Sequence, residues 1–316
     1  MGSLKGVLGI DTSNYTTSAA ILTSGGEMLQ SKRLLKVPEG GRGLRQSEAL
    51  FQHTVALPEI FKNVFKNFNG GIAAVGVSAT PRDTEDSYMP CFLAGVSAAS
   101  SASAAKGCVL HKFSHQRGHI MAALYSANRL SYVNSPFLAF HVSGGTTELL
   151  YVTPDDDLII KCDLIAHTLD LNAGQVIDRV GVMMGYGFPA GKAIDKLSLS
   201  AEGLPAVNPT IRNGNCCLSG VENICKKMLE QNEPHEKIAA TALCFVLESV
   251  SEMTKLALER LGQLPMVFAG GVMSNTLIRR ELSKRFDCAF AEPSFSCDNA
   301  AGIAVLTALK EGLVSL

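Results

Sequence analysis

The chain has 316 residues, 47% hydrophobic and 18% charged, enough to bury a large core and to divide into two lobes. A formal net charge of −1 excludes a global field drawing it to nucleic acid or to an anionic membrane. Nine cysteines with no C-x-x-C spacing, and with Cys216 and Cys217 adjacent, exclude a zinc knuckle and an ordinary disulfide framework; reduced, mostly buried thiols of a cytoplasmic protein are expected. The start of the chain lacks the charged and apolar regions of a signal peptide, and residues 92–105 are too short and too rich in Ala, Ser and Gly to cross a bilayer.

Residues 6–22, GVLGIDTSNYTTSAAIL, predict a strand over 6–11, a polar turn of Asp11, Thr12, Ser13 and Asn14, and a second strand over 18–23. A helix over 47–67, a strand over 72–78, a helix over 88–105 and a strand over 108–111 follow. His111, His115 and His119 fall within nine residues, just before and inside a helix expected over 114–127. Ser114 suits the N-cap, which places His115 and His119 four apart on one helical face. Such a pair is a two-ligand metal clamp that needs an acidic third ligand from elsewhere; the alternative is a pair of hydrogen-bonded helix-start histidines. A zinc-protease site needs Glu directly after the first His, and Gln116 stands there.

The polar stretch 128–135 marks a lobe boundary, giving lobes over 4–132 and 133–316. Residues 137–152, FLAFHVSGGTTELLYV, repeat the grammar of the N-terminal hairpin, with strands over 137–143 and 148–153. Gly144 and Gly145 permit close approach of a ligand, and Ser143, Thr146 and Thr147 add hydroxyls beside the turn amides. This is phosphate-cradling chemistry without a P-loop lysine, although a plain Gly-Gly turn has the same spelling. The echo suggests a duplicated fold closing on one nucleotide.

After a helix over 171–184, the stretch 177–195 carries Asp178 and Asp195, either ribose-hydroxyl acceptors or helix-surface charges. Residues 199–217 read as an insertion or loop, and LSGV over 218–221 says little alone. A helix over 237–261 precedes MVFAGGVMSNTLIRREL (266–282), a buried strand over 266–269, a Gly-Gly turn and a helix over 274–286. Ser274 or Asn275 would cap that helix or touch a ligand. The cluster Arg279, Arg280, Lys284 and Arg285 reads as a solvated helix face. Asp298 stands at the entry of a last helix over 299–311, as a cap or as the missing acidic ligand of the histidine pair, a hard oxygen suiting iron, zinc or manganese. Strands alternating with long helices indicate an α/β fold.

Taken in order, GIDTSNYTTSAAIL, HQRGH, HVSGGTTEL, IDRVGVMMGYGFPAGKAID, LSGV, AGGVMSN and CDNAAGIA resemble the TsaD family of tRNA threonylcarbamoyladenosine synthases, once described as glycoproteases. The resemblance implies a two-lobed actin/hexokinase/Hsp70-like fold with duplicated subdomains, the last helix packing back on the N-terminal lobe. It implies one divalent metal, iron or zinc, on His115, His119 and Asp298. It also implies an adenine nucleotide (threonylcarbamoyl-AMP, AMP or ATP) held by His141, Val142, Ser143, Gly144, Gly145, Asp178, Gly191, Asp195 and Asn275. The implied partners are tRNA and a TsaB-like protein or a second copy of the chain, with no membrane. The chain departs from the family pattern at Arg117 (Glu in H-x-E-G-H), Thr146 (His after V-S-G-G), Glu222 (Lys after the S-G-L motif) and the G-P-G stretch, replaced by residues 79–82 and 89–92. Two alternatives stand beside the transferase: a nucleotide-binding paralogue acting as scaffold or regulator, and a phosphotransferase such as a sugar kinase with Asp11 as its catalytic base.

Overall fold

The computed structural model describes residues 4–13, 15–37, 44–84, 86–295 and 300–314. In chain order the elements begin β1 (Lys5–Ser13), β2 (Thr16–Thr23), β3 (Met28–Leu34), α1 (Gln46–Phe65), β4 (Gly71–Thr80), α2 (Phe92–Lys106), β5 (Val109–Ser114) and α3 (His115–Ser126). Next come β6 (Phe137–Val142), β7 (Thr147–Asp155), β8 (Ile159–His167), α4 (Ala173–Met183), α5 (Gly191–Ser198), β9 (Thr210–Arg212), β10 (Asn215–Cys217) and α6 (Ser219–Glu230). The chain closes with α7 (His235–Leu261), β11 (Met266–Ala269), α8 (Thr276–Arg285), β12 (Cys288–Phe290) and α9 (Ala300–Lys310).

These form two compact units. The first comprises Met1–Asn134, Pro154–Lys161 and Ser294–Leu316, and the second Ser135–Thr153 and Cys162–Pro293. The sheet of the first unit runs β3-β2-β1-β4-β5, with β1 antiparallel to β2 and parallel to β4. One face carries Leu8, Ile10, Ile21, Val75 and Val77 against Leu57, Ile60 and Val64 of α1 and Ala94 and Ala99 of α2. The opposite face receives α9, which is apolar along its length and buried from Ala300 to Ala308. Contact there is close at two glycines, since a Cβ on Gly9 would run into the Ala300 backbone carbonyl and one on Gly76 into the Thr307 hydroxyl.

The second sheet, β12-β11-β6-β7-β8, repeats that plan: β6 is antiparallel to β7 and parallel to β11, which is parallel to β12. Register aligns Phe140, Phe268 and Phe290 on adjacent strands, and their rings stack at 4.9 and 5.0 Å. This ladder lies in a core with Val176 and Val180 of α4 and Leu243, Val246 and Val250 of α7.

Several elements were absent from the sequence-based expectation. β3, MLQSKRL, is a largely exposed edge strand that β2 pairs with and no apolar alternation announces. β8 and β12 are likewise edges, held by neighbours rather than by pattern. α5 and α6 are amphipathic helices of 8 and 12 residues that bury only two residues each, Ile194 and Ser198 and then Val221 and Cys225. The stretch expected as loop over 199–217 contains the β9–β10 hairpin. The basic cluster on α8 is a neutralised surface: Arg280 and Lys284 meet Glu281, Arg285 meets Glu248, and Arg279 lies over the Phe290 ring. All eight described cysteines are free thiols, and burial pushes Cys216, Cys244 and Cys288 up to about 11 and Cys225 to about 12.

Candidate functional site

In the first unit the polar end of β1 is buried. Asp11 is 1% exposed, and three groups converge on its carboxylate. Ser13 Oγ donates to Oδ2 at 2.6 Å, Ser78 Oγ donates to Oδ1, and His115 Nδ1 lies 3.1 Å from Oδ1. Burial pushes the Asp11 carboxyl up, but the charge and hydrogen bond of His115, with the two hydroxyls, outweigh it and leave the group below the ordinary carboxylate value. An ionised Asp11 can only accept, so His115 faces it with Nδ1–H as donor. That makes Asp11 a weak proton acceptor and a strong orienting group.

Ser114 caps α3 as its sequence suggests, its side chain accepting from Arg117 N–H at 3.3 Å. The cap fixes the first turn, and the rings of His115 and His119 meet edge to face at 4.6 Å. Phe92, at the start of α2, packs edge-on against His115 at 6.0 Å. Arg117 points elsewhere. Its side chain is buried, and Nε approaches Asp83 Oδ2 to 3.1 Å without hydrogen-bond alignment. Gln116 N–H donates to Pro81 O, so the chain after β4 is tied to the start of α3 at two points.

In the second unit the turn after β6 is closed by its own side chain. Ser143 N–H donates to Thr146 O at 2.7 Å, and Ser143 Oγ accepts from Gly145 N–H and Thr146 N–H. Thr147 Oγ1 accepts from Ala173 N–H at 2.9 Å and Ser143 O from Gly174 N–H at 3.1 Å, seating the first turn of α4 on the hairpin. Gly174 is required by that contact, since a Cβ would stand 2.7 Å from Gly144 N and Cα. Gly144 and Gly145 are different: neither has positive φ, and nothing lies within 4 Å of where a Cβ would be. No contact within the chain demands glycine there, so the two leave a bare backbone that another molecule can reach.

The remaining second-unit residues interlock. Asp178 Oδ1 accepts from Ala190 N–H at 2.8 Å, fixing the loop that leads to Gly191 at the start of α5. Asp195, one turn along α5, accepts from Thr276 N–H and Oγ1–H, both at 3.0 Å. Asn275 caps α8 through Ile278 N–H. Val142 ends β6 beside Gly270, whose positive φ and close approach to the Val142 carbonyl require glycine, and His141 pairs in register with Glu148 and Ala269. Asp298 lies outside the described residues. Among the described residues no group of three or more His, Cys, Asp or Glu side chains is arranged to hold an ion.

The model of the tRNA N6-adenosine threonylcarbamoyltransferase family, TsaD, matches residues 35–305. A tRNA N6-adenosine threonylcarbamoyltransferase from Thermosipho africanus is 31% identical over 320 residues, covering 95% of this chain and 92% of its own. The chain belongs to the TsaD family. Among solved structures, full-length HypF in its phosphate- and nucleotide-bound form superposes with a TM-score of 0.61 at 11% identity, covering 98% of this chain and 56% of HypF. The activator of 2-hydroxyisocaproyl-CoA dehydratase from Clostridium difficile, with bound ADPNP, gives 0.55 at 13% identity and covers 98% of both chains. These likenesses establish the fold, the two-lobed α/β type of actin, hexokinase and Hsp70.

Against the TsaD pattern, the departures take definite places. Arg117 is the buried partner of Asp83, Thr146 ends the Ser143 turn, and Glu222 pairs with Arg179 at 3.1 Å on the surface. Sequence reading missed Ser78 and Thr276. Ser78 lies two residues before the end of β4, the apolar strand parallel to β1, a position where a polar residue is unexpected, and that was its one visible signal. Thr276 gave none beyond following a helix cap.

Proposed function

We propose that this chain transfers the threonylcarbamoyl group of threonylcarbamoyl-AMP to the N6 amine of an adenosine in tRNA. One divalent metal ion, iron or zinc, would be held by His115, His119 and Asp298. The observation that carries the reading is the imidazole pair, 4.6 Å apart, with His115 oriented by a buried ionised carboxylate. The activity named for the family and for the Thermosipho relative supplies the reaction class.

The donor set fits such an ion. Because Asp11 holds the Nδ1 proton of His115, the Nε2 lone pair is turned away from the carboxylate, the arrangement a ligating imidazole takes from its outer partner. When bound, a metal of this kind acts as a Lewis acid on acyl or phosphate oxygens. Residues 141–145 would bring the phosphate to the bare backbone of Gly144 and Gly145, and Asp178, Gly191, Asp195 and Asn275 would frame the nucleoside. In the transfer the amine nitrogen bonds to the carbamoyl carbon, the carbon–oxygen bond to AMP breaks with its electron pair on AMP, and the amine loses a proton. The chain's own contribution is to hold the acyl carbon and the amine in line. A TsaB-like protein or a second copy of the chain would be its partner, and the cytoplasm its place of work; among the described residues no helix is long and apolar enough to cross a membrane.

The test is metal analysis together with transfer of labelled threonylcarbamoyl to tRNA, in the purified chain and in His115→Ala. Bound metal and transfer in the wild type, both lost in the variant, support the reading. A wild-type chain that binds neither metal nor adenine nucleotide overturns it. Nucleotide binding without transfer would select the non-catalytic paralogue.

A further inference from the structure

We infer that Phe188 is the stacking platform for the adenine ring of the bound nucleotide, an inference that rests on the nucleotide reading above. Phe188 is 78% exposed, more than any other large hydrophobic side chain among the described residues. An exposed phenylalanine alone is unremarkable on a protein surface. What distinguishes this one is that the backbone presenting it is built and fixed.

The connection between α4 and α5 is held at both of its ends. Gly185 N–H donates to Val182 O and Tyr186 N–H to Gly181 O, both at 3.0 Å, and Ala190 N–H donates to Asp178 Oδ1 at 2.8 Å. Met184 and Ala190, at the two ends, are buried, and the Ala190 methyl fills the space where Gly181 lacks a Cβ, so the loop lies flat on α4. The Tyr186 ring is turned inward, edge-on to His235 at 6.1 Å. The same connection half-buries Tyr186 against the core and leaves Phe188 exposed.

The surroundings suit a flat ligand. Gly187 and Gly191 flank the Phe188–Ala190 segment, and nothing lies within 4 Å of where a Cβ on either would stand. Three residues beyond Phe188 the chain enters α5, whose Asp195 is fixed to Thr276 beside Asn275. The ring thus stands in the chain between Asp178 and the pair Gly191 and Asp195, three of the four residues proposed to frame the nucleoside. Every nucleobase offers a π-face to an aromatic side chain. A single exposed ring fits one base, whereas a nucleic-acid strand would need a series of aromatics and cations, and the nearby Arg179 is committed to Glu222.

The chain contains no tryptophan, so Phe188→Trp introduces its only indole at the proposed contact, excitable apart from the six tyrosines. AMP should quench the emission of that variant and bind it as tightly as the wild type. In calorimetry, Phe188→Ala should weaken AMP about tenfold, in line with base stacking on an aromatic ring, and leave ribose 5-phosphate unchanged. AMP binding that is equal in wild type and Phe188→Ala, with no quenching in Phe188→Trp, overturns the stacking role while the nucleotide site stands. The same is true if Phe188→Ala spares AMP and weakens tRNA. A wild-type chain with no affinity for AMP overturns both.

Discussion

The C-terminal end of β1 and the turn after β6 stand at corresponding places in two sheets of the same strand order, and they do opposite things. The polar end expected as a turn is the last part of β1, paired with β2, and there the chain buries Asp11, Thr12 and Ser13 and spends their polar atoms on one another, on Ser78, on Cys91 and on His115. After β6 the turn is closed by Ser143 alone and leaves two glycines bare. Duplicated topology fixes where a turn stands; whether it orients a neighbouring side chain or admits a ligand depends on which residues fill it. A carboxylate at the buried end of β1 cannot go unpaired in the interior, so it recruits an imidazole. Glycines in the second turn recruit nothing from the chain, so the surface stays open.

The sharpest break of this contrast is Asp11→Asn. Replacing the charged acceptor by an amide, whose NH2 group can turn toward His115 Nδ1, should weaken metal binding about 10- to 100-fold, read by chelator competition on a chain whose circular dichroism is unchanged. An unaltered metal affinity would show that Asp11 does not orient His115. In α4, where it rests on the turn after β6, Gly174→Ala should cost about 1–3 kcal/mol in urea unfolding, because the new methyl meets the Gly144 backbone. Gly144→Ala, with open space around it, should leave stability unchanged and weaken AMP. If the two alanine variants behaved alike, the distinction between packing glycine and ligand glycine would be lost.

Ser143→Ala is expected to cost about 1 kcal/mol, since it removes the acceptor of two turn amides that water can partly replace. The smallest effect concerns Asp170, whose carboxylate accepts from Leu218 N–H, Ser219 N–H and Ser219 Oγ–H at the start of α6. Burial alone would raise this carboxyl, but the Ser219 hydroxyl and the backbone amides hold it below its ordinary value. A lowered folded value means the stabilisation is present above the unfolded carboxylate pKa and is lost as pH falls through the folded one. The melting-temperature gap between wild type and Asp170→Asn should therefore be small at pH 7 and close on acidification; a gap that widened at low pH would reverse the assignment.

Much of the frame could be read locally. The strand over 266–269 has the boundaries expected for it, and the Ser114 cap with His115 and His119 on one face follows from a spacing of four and a helix start. The Asn275 cap was equally visible. β3, β8 and β12 were not, because edge strands owe their form to a neighbour's hydrogen bonds and carry no apolar alternation of their own. Glu222 and Arg117 read as departures from a motif, but their partners Arg179 and Asp83 could not be chosen from the sequence.

What the sequence determined by itself was everything that repeats within a few residues: two strand–turn–strand units of one spelling, a histidine pair on one helical face, and glycines where backbone must stay bare. The tertiary structure alone decided the partners across long separations. Ser78 reaches Asp11 over 67 positions, His115 reaches it over 104, and Asp195 holds Thr276 over 81. Helical and strand periods are local properties of the chain. Which carboxylate meets which donor depends on strand order and register, and those are settled only when the sheets close.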